Sequence, residues 1–284
     1  MWTKRRQQFR ALLEGSECVC PASVFDPLSA RIAQDLGFEL GMFAGSTASL
    51  AVLGAPDNIS ITLTEFTEQA LRINRAMSIP LLVDADHGYG NALNVMRTVT
   101  ECEIVGIAGL SLEDTLLPLA FGAGGAQLTS VDEGVGKMRA ALTARVDNSL
   151  VIAGRTSAVS ISNVGDAVKR LQAYEAAGVD ALFIVGVKTR ADLDTIAAEV
   201  KRPLILSPVP AEMADRAYLA SRGVRVCLQG HQPIQAAAQA VHDTMKALRE
   251  GVAPAALPGL PSAQTMKRVT RGDDFDQWTK EFLK

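Results

Sequence analysis

Two carboxylates one residue apart stand at the end of an apolar run in Val83-Asp84-Ala85-Asp86-His87-Gly88-Tyr89-Gly90. Leu81, Leu82 and Val83 follow Pro80 and read as a short buried strand of a parallel sheet, which Gly88 and Gly90 then break. Carboxylates buried at a strand end are costly unless a cation or a bound proton offsets their charge. An all-oxygen site of this kind suits divalent Mg²⁺ or Mn²⁺. On the octet alone a plainer reading stays open, in which Asp86 caps the next helix and Asp84 pairs with an arginine.

These residues need elements to carry them, and the chain supplies a repeated unit. Short apolar runs recur at Val19–Phe25, Leu40–Ala44, Leu81–Val83, Gly109–Leu112, Leu150–Ala153, Ala181–Val187, Leu204–Leu206 and Val224–Leu228. Between them lie amphipathic helical patterns such as Asp166–Ala177, with Ala167, Val168, Leu171 and Tyr174 on one face, and Asp192–Val200. Eight strand–helix units predict a parallel sheet closed into a (β/α)₈ TIM barrel. An open doubly wound sheet is disfavoured, because no Gly-x-Gly-x-x-Gly turn follows the first strand. Strand ends carry Asp26, Ser46, Asp84 and Asp86, Glu113 and Asp114, Arg155 and His231. In a barrel these converge on the C-terminal face, where active sites of this fold lie. Two connections are long, Thr47–Thr64 and Thr115–Val131. The second holds Phe121-Gly122-Ala123-Gly124-Gly125-Ala126, whose glycines suit either a mobile lid or a plain surface loop.

Composition limits the partners. A net charge of −3 argues against nucleic acid, and no apolar run approaches the roughly 18 residues of a membrane span. No signal-type apolar core follows the charged N-terminus, and four cysteines lack metal-knuckle spacing, so reduced thiols in a cytoplasmic protein are expected. The barrel is expected over residues 1–251. Residues 252–284 form a proline-rich linker and a C-terminal amphipathic helix over Asp273–Lys284, with Phe275, Trp278 and Phe282. That helix docks on its own barrel or, the favoured reading, on a neighbour's in a homo-oligomer.

Taken together, Ala44-Gly45-Ser46, the Val83–Gly90 octet, Leu112-Glu113-Asp114 and Gly154-Arg155-Thr156 resemble the isocitrate lyase/phosphoenolpyruvate mutase superfamily. Within it the chain is similar to the oxaloacetate decarboxylase family, through Ser23–Pro27, Asn91–Val99, Glu113–Pro118 and Glu133-Gly134-Val135-Gly136-Lys137. The resemblance implies that Asp84 holds Mg²⁺ directly, with Asp86, Glu113 and Asp57 reaching it through water. It assigns the α-keto acid end of the substrate to Ser46, its carboxylate to Arg155 and the distal pocket to His231. It also implies a homotetramer, a dimer of dimers with exchanged C-terminal helices. Lyases of the superfamily carry Lys-x-Cys-Gly-His after the fourth strand, and its phosphonate enzymes a lysine and an asparagine. Between Thr115 and Val131 this chain has no cysteine, lysine, histidine or asparagine. Ser157 stands where many relatives have an acid or amide.

The chemistry expected is Mg²⁺-dependent loss of CO₂ from oxaloacetate or a close 2-keto dicarboxylate, giving pyruvate through an enolate. A metal chelated by the keto oxygen and its neighbouring carboxylate is an electron sink. Arg155 offers a planar fork to a carboxylate, and N–H groups around Ser46 face the developing oxyanion. His231 orients the departing carboxylate, returns the proton, or is a structural turn residue. His87 supports the metal site or its loop, and Asp26 the barrel floor. Two alternatives stay open: carbon–carbon or phosphorus–carbon cleavage of the 2-methylisocitrate or phosphonopyruvate type, and weakly active dicarboxylate binding.

Overall fold

The computed structural model describes residues 2–284. In chain order the strands are β1 (Ala22–Ser23), β2 (Gly41–Phe43), β3 (Leu81–Asp84), β4 (Gly109–Glu113), β5 (Val151–Thr156), β6 (Ala181–Ile184), β7 (Leu204–Leu206) and β8 (Val224–Cys227). All neighbours pair in parallel in the order β1 to β8, and a parallel bridge from Val19 to Val226 closes the ring. The expected TIM barrel is therefore the fold.

The helices are α1 (Trp2–Glu14), α2 (Pro27–Asp35), α3 (Gly45–Ala48), α4 (Leu63–Ala76), α5 (Ala92–Ile104), α6 (Val131–Ala144) and α7 (Ala158–Ile161). They continue with α8 (Val164–Ala177), α9 (Arg190–Glu199), α10 (Arg216–Ser221), α11 (Gln232–Arg249), α12 (Ala263–Thr270) and α13 (Gly272–Phe282). Their starts follow from local chemistry. Asp26 accepts from Ser29 N at 2.7 Å while the Ser29 hydroxyl receives the Asp26 N–H, and Pro27 sits in the first turn. Asp26 thus caps α2, a role that its strand-end position did not suggest.

Alternation along the strands sorts their side chains into two layers. Leu82, Val151, Ala153, Phe183 and Ile205 fill the barrel interior, closed at the bottom by Phe9 of α1. Leu81, Val83, Leu110, Leu112 and Ile152 face outward against the helices. The same alternation points Asp84, Ser111, Glu113 and Arg155 inward at the top of β3, β4 and β5. Register completes the cluster, because Asp84 lies opposite Ser111 and Glu113 opposite Arg155.

Beyond Gly251 the chain passes Pro254–Ala256 and forms α12 and α13. Of these two helices α12 has no counterpart in the sequence reading. Val269 is buried, and Arg271 donates to both oxygens of Asp35 on α2. Phe275, Trp278 and Phe282 stay exposed, as do Val241, Met245 and Leu248 of α11.

Candidate active site

At the top of the barrel Arg155 is the hub. It donates through Nη1 to Asp84 Oδ2, and its Nη2 lies 3.4 Å from Glu113 Oε2. Its guanidinium also stacks 5.2 Å from the Phe183 ring centroid. Asp84 Oδ1 accepts from Asp86 N at 3.1 Å and from the Ser111 hydroxyl at 3.3 Å, while Thr115 Oγ1 donates to Glu113 at 2.8 Å. The plainer reading of the octet holds in one half only: Asp84 pairs with an arginine, but Asn91 rather than Asp86 caps α5.

Asp86 sits in a turn at φ +48°, a backbone region uncommon for a residue with a side chain. Its carboxylate packs on Gly45, where a Cβ would lie only 2.6 Å from Oδ2, so any larger residue at the start of α3 would have to displace the Asp86 carboxylate. Burial pushes the Asp86 carboxyl well above the usual carboxylate range, and the charges of Asp84, Glu113 and Asp57 add to this. Burial likewise raises Glu113, with Arg155 opposing. Asp86 Oδ2 is buried without a hydrogen-bond partner.

Asp57 approaches from the exposed loop after α3. Partial desolvation and the charge of Asp84 raise its carboxyl, against Arg155 and His231. Ser46 lies in the first turn of α3, half-buried beside Gly45. His231 begins α11, and its Nδ1 is 2.8 Å from the Ser23 hydroxyl. Burial lowers its pKa, while the charges of Asp84 and Asp57 pull the other way. The structure therefore brings together Asp84, Asp86, Glu113, Arg155, His231 and Asp57, with Ser46 on the adjoining turn.

Sequence reasoning missed several supports. Ser23 fixes His231, Ser111 and Thr115 fix two of the acids, and Lys137 of α6 donates 3.0 Å to the His87 carbonyl, tethering the acidic turn. Burial lowers His87 to about 4, with Lys137 adding to the effect, so its imidazole is neutral. Asp114, read as one of the converging groups, points away from the barrel interior toward α8.

The donor set fits a hard divalent cation. Buried carboxylates with raised proton affinity and an unpartnered oxygen call for positive charge, and all the donors are oxygen. Among the described residues no three Asp, Glu, His or Cys groups stand close enough to cage an ion alone.

Residues 9–249 match the sequence profile described as phosphoenolpyruvate phosphomutase. The chain belongs to this family. It is 58% identical over 282 residues to a protein named oxaloacetate decarboxylase from Rhodopseudomonas palustris, covering 99% of this chain and 98% of the relative. Among solved structures it is similar to a phosphoenolpyruvate phosphomutase from Streptomyces platensis subsp. rosaceus, with a TM-score of 0.87 at 28% identity, covering 98% and 99% of the two chains. A phosphonopyruvate hydrolase in complex with oxalate and Mg²⁺ superposes with a TM-score of 0.86 at 28% identity, covering 99% of each chain. The inward acids of β3 and β4 thus stand on a fold shared end to end with a phosphoenolpyruvate phosphomutase and a phosphonopyruvate hydrolase.

Proposed function

We propose that this protein decarboxylates oxaloacetate, or a close 2-keto dicarboxylate, to pyruvate and CO₂ with Mg²⁺ as cofactor. The observation that carries the reading is the convergence of Asp84, Asp86 and Glu113 on Arg155 at the strand ends, in a chain 58% identical over almost its full length to a protein named for that reaction. The loop after β4 agrees, because it lacks the lysine, cysteine, histidine and asparagine that the other chemistries would use. Oxalate, which the similar hydrolase binds together with Mg²⁺, carries oxygens on adjacent carbons as the enolate of pyruvate does.

Asp84 would hold the ion directly, with Asp86, Glu113 and Asp57 ordering its waters. The ion, when bound, supplies a Lewis acid at the keto oxygen. Arg155 pairs its fork with a substrate carboxylate. The C3–C4 bond breaks, CO₂ leaves, and the electron pair passes toward the C2 oxygen, near N–H groups at the start of α3 beside Ser46. A proton added at C3 completes pyruvate. His231, held through Nδ1 by Ser23, presents its other ring nitrogen for the departing carboxylate or for that proton.

An NMR time course with Mg²⁺ and oxaloacetate, 2-methylisocitrate or phosphonopyruvate tests this. Pyruvate should form from oxaloacetate alone, well above a protein-free Mg²⁺ blank. Turnover of either other substrate, or oxaloacetate loss at the blank rate, overturns it.

We further propose that the arm over residues 252–284, together with α11, docks on a second copy within a homotetramer in the cytoplasm. The support is the row of exposed apolar residues on α11 and α13, beside a cavity of about 450 Å³ lined by Ile32, Leu36, Phe38, Pro233 and Ala237. The four free thiols fit a reducing compartment.

A further inference from the structure

Glu113 and Asp114 are consecutive at the end of β4, and alternation sends them to opposite sides of the sheet. Glu113 enters the acidic centre. Asp114 is fully buried on the outer side, where its Oδ2 accepts from the Tyr174 hydroxyl at 2.7 Å and from Arg170 Nη1 at 3.1 Å. The same Arg170 nitrogen donates to the Thr129 carbonyl at 2.9 Å. Thr129 in turn donates to the Asp114 carbonyl through its N–H, at 2.8 Å, and through its hydroxyl. Thr115 and Leu128 then pair as an antiparallel bridge, with Leu116 N donating to Gln127 O at 2.8 Å. Residues 115–128, including the glycine-rich tip with its fully exposed Phe121, therefore leave and re-enter the barrel at one point, and Arg170 grips both strands of that stem.

The surroundings are shaped for this grip. Asp166 accepts from Arg170 Nε at 3.0 Å and fixes the guanidinium plane. Gly134 on α6 makes room for the tyrosine, because a Cβ there would lie 2.4 Å from the Tyr174 hydroxyl oxygen. This gives a physical reason for glycine within Glu133-Gly134-Val135-Gly136-Lys137. Asp114 Oδ1 has no hydrogen-bond partner. A buried carboxylate left half-satisfied is a poor way to gain stability, and well-packed apolar residues would do better. What the acid does supply is one fixed point shared by Glu113, Thr129 and α8.

We propose that Arg170 and Tyr174 are positioning residues, which through Asp114 set the stem of the 115–128 loop and the placement of Glu113 at the active site. This rests on the decarboxylase reading for its kinetic consequence, but not for its structural one. Hydrogen–deuterium exchange on the full chain, without substrate or metal, is the test. Tyr174→Phe and Arg170→Gln should each speed exchange over residues 115–129 by roughly tenfold, the loss expected for one hydrogen bond to a charged group, with the strands unchanged. The same variants should lower kcat and raise the Mg²⁺ concentration for half-maximal rate, and Arg170→Lys should restore part of each. Asp180→Asn serves as control, since Asp180 pairs with Arg145 and Arg10 at the opposite end of the barrel. It should lower the melting temperature and leave the loop's exchange alone. Exchange at the wild-type rate in both Tyr174→Phe and Arg170→Gln overturns the proposal, as does an equal rise in the control or faster exchange with unaltered kinetics. A wild-type protein inert toward oxaloacetate would instead count against the decarboxylase reading, while the exchange result still decides the stem.

Discussion

Arg155 and a divalent cation neutralise the same carboxylates, so removing the arginine should strengthen metal binding while it damages turnover. In the structure Arg155 donates to Asp84 and lies 3.4 Å from Glu113, with only 15% of its side chain exposed. An ion that takes Asp84 directly has to displace that charge-assisted hydrogen bond, which is worth about 1.5–3 kcal/mol. At 1.4 kcal/mol per factor of ten, Arg155→Met should bind Mg²⁺ roughly 10- to 100-fold more tightly. Without metal the variant leaves buried acids unpaired, and losing one partner of such a pair costs about 3–5 kcal/mol. Its melting temperature should therefore fall without Mg²⁺ and recover more than the wild type's when Mg²⁺ is added. Acid should narrow the gap too, because carboxyls with raised folded-state pKa values stop destabilising the fold once protonated. Isothermal titration with Mg²⁺ and thermal melts across pH make the assay. Unchanged or weaker Mg²⁺ affinity in Arg155→Met would refute the shared-charge reasoning, whatever happens to activity.

Asp84→Ala should abolish turnover, whereas Asp86→Ala or Glu113→Ala should weaken Mg²⁺ by roughly 10–100-fold, read from the metal dependence of the rate. His231→Gln should lower kcat by roughly 100-fold with little change in KM if the imidazole handles the proton, and near-wild-type constants would make it a turn residue held by Ser23. Deleting residues 262–284 removes the exposed Phe275, Trp278 and Phe282 along with the Arg271–Asp35 ion pair, and sedimentation should then show smaller species. Asp147 ties α1 to the barrel: burial raises its carboxyl, but hydrogen bonds from Ser149, Arg6 and Thr3 hold it well below the usual range. Its contribution is thus present above the unfolded carboxylate value near pH 4 and fades as pH drops below it. Trp2 fluorescence should follow that acid release, and Asp147→Asn should flatten it.

Much of this was readable in the chain because each apolar run announces a strand end. The runs ending in Val83, Leu112 and Ala153 place Asp84, Glu113 and Arg155 at the C-terminal face of the barrel. The side each one takes was not legible, since these strands are apolar on both sides. Register, too, is a tertiary property. That Arg155 lies opposite Glu113 and reaches Asp84 follows from pairing of β3, β4 and β5, and no spacing in the sequence encodes it. The cap at Asp26 was overlooked although its signal was present, since Asp26-Pro27-x-Ser29 is a helix start with its own capping box. Tyr174 was legible only as an apolar helix position. Its hydroxyl partner lies 60 residues away, on a strand whose outward-facing acid looked like one more site residue.

The Glu113-Asp114 pair shows why a motif in sequence need not be one device in space. Each acid is buried, and each has an arginine: Arg155 from β5 on the inside and Arg170 from α8 on the outside. The two arginines differ in what else they touch. Arg155 shares its charge among Asp84, Glu113 and an aromatic face, an arrangement that an incoming cation or carboxylate can rearrange. Arg170 is committed to Asp114, Asp166 and a backbone carbonyl within a shell closed by Tyr174, and nothing there invites exchange. The inner pair is adaptable and the outer pair is fixed. A one-residue slip of β4 would exchange them, sending Glu113 into the helices and Asp114 into the barrel. The rigid outer grip therefore holds strand parity at the place where the chemistry depends on it.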